Sequence, residues 1–426
     1  MTTSDTHRAI EAVWRIESAR LIAGLTRVVG DIGRAEDLAQ DALVAALERW
    51  PGSGVPDNPG AWLMATAKNR AIDVLRKRAL VERKQAEIEH EIVALRASEP
   101  DVHDALDDDI GDDLLRLMFT ACHPLLSTEA RVALTLRLLG GLTTDEIARA
   151  FLVPVATVAQ RIVRAKKTLA EAGVPFEVPR GEEREERLAS VLEVVYLVFN
   201  EGYAATAGED WIRPALCEDA LRLGRVLAEL APEEPEVHGL VALMEIQASR
   251  LRARTGPSGE PVLLLDQNRA RWDPLLIRRG LAALARAEEL GGALGPYALQ
   301  AAIAACHARA RAAEDTDWAR IADLYGTLAR VAPSPVVELN RAVAVAMTRG
   351  PAEGLAVVDA LAGVRSLHGY HLYPAVRGDL LEKLGRHDEA RAEFERAAEL
   401  TRNERERALL RARARSQRST TTSNPP

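Results

Sequence analysis

The chain has 426 residues, more than one hydrophobic core usually supports, so two or three domains are expected. Apolar residues make up 47% and aromatic residues only 4%, which favours packed helices over sheet and predicts an all-α fold. A net charge of −8 argues against indiscriminate coating of nucleic acid, and Cys122, Cys217 and Cys306, scattered with no CxxC pair, imply neither a disulfide framework nor a zinc ribbon.

The opening residues, MTTSDTHRAIEAVWRIE, lack the basic start and apolar run of a secretory leader. No stretch approaches the roughly 20 apolar residues of a membrane span, so a cytoplasmic protein is expected. Residues 8–80 alternate apolar and polar at helical spacing, broken by the turn-rich WPGSGVPDNPG, and predict one compact helical domain. In GDIGRAEDLAQDALVAALERW, Leu38, Ala42, Ala45 and Arg49 follow one helix face while Asp37, Asp41 and Glu48 gather on the other. That acidic ridge suits an ordinary solvated surface or docking onto a basic helical partner. The next helix, PGAWLMATAKNRAIDVLRKR, has the opposite sign, with Lys68, Arg70, Arg76, Lys77 and Arg78 close together. Trp62 and Asn69 share it and Asn58 lies just ahead. Cations with an aromatic and an amide suit a nucleic-acid strand whose phosphates are held and whose bases are stacked or captured.

Residues 81–113 begin as a charged helix and end in SEPDVHDALDDDIGDD, an acidic run with little to bury, which reads as a linker. Helical periodicity returns over 114–173. Within it, Thr143 and Glu146 form a capping box that starts a short helix, and Pro154 starts a second one. Val158, Ile162 and Leu169 point inward on that second helix, leaving Thr157, Gln160, Arg161, Arg164, Lys166 and Lys167 more exposed. The pattern fits a helix-turn-helix, whose second helix reads a major groove, or a helical hairpin with a basic outer face. The turn lacks the glycine many such motifs use.

The break VPFEVPRG sits in a linker, 174–184, and a large helical region follows over 185–415, with a frayed tail at 416–426. Near its end, Leu384-Gly385-Arg386 forms a turn between two helices, and Ala390, Phe394 and Ala397 give the packing pattern of a tetratricopeptide-like unit. Ser334 to Leu361 fits the same scheme, with Gly350 and Pro351 at its turn and a nearly buried first helix. Such stacked pairs leave a surface for a peptide, a domain or a ligand. Asn200, Glu201 and Tyr203, with the dense polar cluster Asp266, Gln267, Asn268, Arg269, Arg271, Trp272 and Asp273, mark a buried hydrogen-bonded network, a regulatory pocket or a domain contact. No nucleophile, base and orienting group stand at a diagnostic spacing, so no enzyme, cofactor or metal site is expected; Cys122-His123 and Cys306-His307 are too far apart to suggest ligation.

The first segment, from Gly30 to Arg78, resembles region two of bacterial RNA polymerase sigma factors of the extracytoplasmic-function type, and TTDEIARAFLVPVATVAQRIVRAKK resembles their region four. YLVFNEGYAAT, DQNRARWD, PYALQAAIAACHARA and SPVVELNRAVAVAM are similar to the subgroup with a long C-terminal tetratricopeptide-like extension. The resemblance implies two small helical sigma domains, the second a helix-turn-helix, before a larger helical-repeat domain. It implies that Asp37, Gln40 and Asp41 bind the clamp helices of core RNA polymerase. It further implies that Asn58, Trp62, Lys68, Asn69 and Arg70, with the nearby Arg76 and Lys77, meet the melted minus-ten element of promoter DNA. Thr157, Gln160, Arg161 and Arg164, followed by Lys166 and Lys167, then face the minus-thirty-five duplex. Only Trp50 and Trp62 supply aromatic rings to the melting region, which implies stringent promoter choice. Without a polymerase-docking surface the same halves would describe a helix-turn-helix regulator with a ligand- or protein-binding repeat domain; the segment from Ala35 to Leu47 argues against that reading. A protein or small-molecule regulator of the C-terminal domain is an expected partner, and no membrane is.

Overall fold

Alanine- and leucine-rich periodic segments fold as helices throughout. Over the described residues, 3–89, 110–291 and 294–421, the computed structural model holds 18 α-helices and one pairing of two-residue strands. The expected all-α class is what the chain adopts, and among the described residues no helix is long and apolar enough to cross a membrane. The chain divides into two units, Met1–Val195 and Tyr196–Pro426.

In the first unit, α1 (Thr3–Val29), α2 (Ile32–Ser53) and α3 (Pro59–Glu89) pack together. Gly30 takes φ +68° to turn the chain, and Asp31 caps α2 by accepting the Arg34 N–H at 2.8 Å. Ala35, Ala39, Ala42, Ala45 and Ala46 are all buried, so α2 lies close against its neighbours. Asn58 caps α3, its Oδ1 accepting the Ala61 N–H at 3.0 Å. Helix α3 continues to Glu89, so the charged helix expected at the start of the 81–113 linker extends the first domain; residues 90–109 of that linker lie outside the described residues.

Next come α4 (Ile110–Ala121), α5 (Thr128–Leu138), α6 (Thr144–Phe151) and α7 (Val155–Glu171). The Thr143 and Glu146 capping box is formed, with Thr143 N–H donating to Glu146 at 2.8 Å and Glu146 N–H donating to Thr143 Oγ1 at 3.2 Å. In place of a glycine, Leu152 makes the turn in the left-handed region at φ +51°, which costs about 1 to 2 kcal/mol. Pro154 then starts α7, and Val158, Ile162, Ala165 and Leu169 are buried.

The boundary of this unit lies beyond the 174–184 linker expected from the sequence. Helix α8 (Gly181–Tyr203) begins by packing onto α4 and its C-terminal turn: Arg187 donates to the Phe119 carbonyl at 3.0 Å and Ser190 to the Cys122 carbonyl at 2.6 Å. These bonds satisfy carbonyls at the end of α4 that would otherwise be buried without a donor.

The second unit contains α9 (Pro214–Leu230), α10 (Pro235–Ala248), α11 (Pro274–Glu289), α12 (Pro296–Arg309), α13 (Trp318–Val331), α14 (Pro335–Arg349), α15 (Pro351–Ala360), α16 (Leu372–Lys383), α17 (His387–Leu400) and α18 (Glu404–Thr421). Proline opens α9, α10, α11, α12, α14 and α15, where its missing N–H costs nothing. Helices approach closely where residues are small. A Cβ at Gly239 would stand 2.6 Å from the Ala298 backbone nitrogen, and one at Gly378 would stand 2.9 Å from the Phe394 ring. Ala390, Phe394 and Ala397 are fully buried between α16 and α17. Helix α14 is less buried than its composition suggests: Leu339, Ala342, Ala344, Val345 and Ala346 are covered, while Val336 and Met347 are exposed.

Two features depart from an open stack of helix pairs. Strand β1 (Ala207–Gly208) pairs in parallel with β2 (Arg402–Asn403), and buried Asn403 donates to the carbonyls of Ala205 at 3.0 Å and Asp210 at 2.8 Å. The two ends of this unit are thereby latched, a contact no nearest-neighbour solenoid makes. The expected tail at 416–426 also begins later: α18 runs to Thr421, and Gln417 is buried, donating to Glu382 and meeting His387 Nδ1 through its side-chain oxygen at 2.8 Å.

Candidate nucleic-acid interface

On α2, Asp37, Asp41 and Glu48 are exposed and Gln40 is half-buried. They share their stripe with Val44 and Leu47, which are 49% and 39% exposed. The acidic ridge therefore has an apolar centre, which sorting that face by charge alone does not reveal. Exposed apolar residues ringed by charge are the composition of a docking surface.

Helix α3 presents Asn69 and Arg76 to solvent, with Trp62, Lys68 and Arg70 half-buried; the Lys77 side chain lies outside the described residues. Arg70 is paired with Asp41 at 3.1 Å, so the basic helix and the acidic ridge share a charge contact. Trp50 is only 1% exposed and meets Trp62 edge-on with ring centroids 5.3 Å apart. Trp50 is thus a core residue that braces Trp62, and it is not free to stack on a base. Asn58, though exposed, has its side-chain oxygen engaged in the α3 cap.

Along α7, Gln160, Arg164 and Lys167 are exposed, and Thr157 and Arg161 half-buried. Lys167 sits 3.5 Å from Glu171. Lys166 departs from the exposed set: its ammonium turns inward and pairs with Glu36 on α2. Two positions on from Arg164 is about 200° around a helix, which places Lys166 on the opposite side from that cation.

Glu36 is a residue that the sequence pattern does not single out. It is 3% exposed, accepts Arg137 Nε at 2.6 Å, pairs with Lys166 and accepts Gln40 Nε2 at 2.7 Å. Burial pushes its carboxyl up, but Lys166 and Arg137 more than offset this and hold it below the ordinary value. A signal is nonetheless present: Glu36 lies four residues after Ile32 and three before Ala39, on the apolar stripe, where a carboxylate requires a cation. Two further contacts join the helices before and after the linker. Arg27 donates to buried Asp113 at 2.8 Å, and Arg15 reaches Glu146 at 2.8 Å. Burial lifts the Asp113 carboxyl above its usual value despite Arg27 and Arg116 beside it.

In the second unit the polar cluster splits into separate local structures. Glu201 pairs with Arg213 and accepts the Thr206 hydroxyl at 2.9 Å. Asp273 caps α11, Gln267 donates to the Val262 carbonyl at 3.2 Å, and Asp266 is exposed. Arg269 serves the carbonyls of His307 and Ala310 and lies over the Trp272 ring at 4.9 Å. Asn200 and Tyr203 instead line a cleft. All three cysteines are free and buried; burial pushes Cys122 up to about 11 and Cys217 up to about 12, so neither is a ready thiolate.

Family comparison matches residues 16–81 to sigma-70 region 2, residues 116–169 to sigma-70 region 4, and residues 187–288 to a family of unknown function, DUF6596. A Rhizobium meliloti protein, uncharacterized protein R00370, is 45% identical over 392 residues, covering 92% of this chain and 91% of the relative. A Mycobacterium tuberculosis protein described as probable ECF RNA polymerase sigma factor SigI is 29% identical over 180 residues, 42% of this chain and 60% of the relative. Two sigma-70 regions in their proper order, on the helices described above and ahead of a helical extension, carry the assignment: the chain belongs to the sigma-70 family, among the extracytoplasmic-function sigma factors with a C-terminal extension.

Proposed function

We propose that the chain works in the cytoplasm by binding core RNA polymerase through α2 and directing initiation at a defined promoter, with the C-terminal helical unit modulating that activity. Asp37, Gln40 and Asp41 form the polymerase contact, with Val44 and Leu47 adding apolar area. Asn58, Trp62, Lys68, Asn69, Arg70, Arg76 and Lys77 serve the minus-ten element, and Thr157, Gln160, Arg161, Arg164 and Lys167 the minus-thirty-five duplex. The exposed acidic and apolar stripe on α2 carries this reading best, because a regulator that only bound DNA would have no use for it.

The ionic contacts between α2 and α7 bear on mechanism. Two elements centred about 25 base pairs apart lie roughly 85 Å apart on a duplex. A 27-residue helix such as α1 spans only about 40 Å, less than half of that separation, and on this reading the two regions part to reach both elements. Polymerase binding on α2, next to Glu36, is a natural trigger.

In transcription with purified core enzyme and a promoter library, the parent chain is expected to impose a new start-site preference. Reversing charge at Asp37 and Asp41 should weaken core binding about tenfold or more, while loss of the exposed Asp41–Arg70 pair lowers the unfolding midpoint only slightly. Unaltered core affinity would remove α2 from the polymerase contact.

A further inference from the structure

In the second unit, α8, α10, α12, α13 and α14 enclose a cleft of about 250 Å³ whose lining contains no aspartate or glutamate. The one permanent cation in that lining is Arg250, which is 6% exposed. Arg250 donates to Gln247, lies over the rings of Tyr203 at 5.8 Å and Trp272 at 5.6 Å, and keeps its Nε buried without a hydrogen-bond partner. Arg254, 3.6 Å from the centre of the Tyr203 ring, and Arg269, against Trp272, add positive charge behind it. Among the described residues no carboxylate pairs with Arg250; Glu201 pairs with Arg213, and Glu245 with Arg225 and Arg279. A second buried polar atom, His307 Nδ1, also has no partner, and His307 is 7% exposed on the same cleft.

A buried guanidinium without a counter-charge is costly unless something supplies one. We propose that this cleft binds a small aromatic carboxylate, whose acid group pairs with Arg250 and whose ring lies among Tyr196, Phe199, Tyr203 and Tyr325. The size fits: a cavity of roughly 150 Å³ accepts benzene, so about 250 Å³ holds a ring with a short acid arm. The charge fits as well, since a cleft lined by one guanidinium matches a monoanion better than a phosphate dianion. Burial and the nearby Arg250 and Arg269 push His307 down to about 4, so near neutral pH it offers a hydrogen bond and no charge. Arg250, with Arg254 and Arg269 behind it, then sets the preference for an anion.

This site is independent of the transcription reading, and its binding is measured without polymerase or DNA. Benzoate and its neutral isostere benzamide serve as probes of the full chain, by calorimetry or ligand-observed NMR at about 0.15 M salt. Benzoate is expected to bind saturably at one site in the millimolar range, and benzamide about tenfold more weakly. Arg250→Gln should cost at least about tenfold in benzoate affinity while keeping or raising the thermal midpoint, because it removes an uncompensated buried charge. Arg250→Lys, which keeps the charge and loses the planar fork, should fall between them and carries the test should Arg250→Gln fail to fold. Absence of saturable benzoate binding, equal affinity for benzamide, or unchanged affinity in the Arg250 variants would overturn the assignment. A chain that binds benzoate yet starts no promoter fails only the transcription reading, and the converse result fails only this one.

Discussion

Glu36 concentrates the electrostatics of the first unit in one side chain. Its carboxylate is buried and shared by Arg137, Lys166 and Gln40, so removing its charge strands two cations against a neutral group. Glu36→Gln is expected to destabilise the first unit by about 2 kcal/mol in urea unfolding, since both cations keep some access to water. The pH dependence follows from the direction of the shift. A carboxyl held below its ordinary 4.5 contributes stability that is complete above that pH and is lost as pH falls through the folded value. Asp113 works the other way: its raised value means that acidification costs nothing at that site. The parent chain should therefore lose stability on acidification below about pH 4.5 and Glu36→Gln should lose less; identical acid profiles would show that Glu36 does not couple the helices.

At the scale of one element, α7 divides its cations between two tasks. Arg161 and Arg164 belong to the outer side and Lys166 to the contact with α2. If the outer side meets duplex phosphates, the Arg161→Ala, Arg164→Ala double variant should weaken promoter binding and reduce the slope of log affinity against log salt by about 2. Lys166→Ala should instead register in unfolding and leave the salt slope of the region-four contact nearly unchanged. A large slope change for Lys166→Ala with none for the double variant would reverse the assignment of the two sides. The same helix shows where periodicity succeeds: Val158, Ile162 and Leu169 are recognisable as buried positions because they recur at the helical period. The glycine-free turn before it is legible as a break at Pro154, but the left-handed backbone of Leu152 is not, because nothing in a leucine announces φ +51°.

For the molecule as a whole, the end of the first unit at Val195 decides how its parts can be separated. Arg187 and Ser190 supply hydrogen bonds to carbonyls at the end of α4, and Arg187 also lies 5.9 Å over the Phe119 ring. A chain ending at Val195 should unfold cooperatively, whereas one ending at Gly173 should be about 2 to 3 kcal/mol less stable. Equal denaturation midpoints would make the start of α8 dispensable. Transcription by the Val195-ended chain, compared with the full chain, then reports on modulation by the extension without damaging region four; equal yields would remove that role.

The sequence by itself determined the helical class, the capping box at Thr143, the burial of Ala390, Phe394 and Ala397, and the family resemblance. Each depends on residues close along the chain, where propensity, period and capping act. The tertiary structure alone decided that Trp50 is buried, that Lys166 turns inward to Glu36, that Asn403 latches the second unit, and that Arg250 stands in a cleft without a carboxylate. These depend on which distant side chain arrives opposite a given position, and a charge or an amide reads the same in sequence whether water or a buried partner satisfies it.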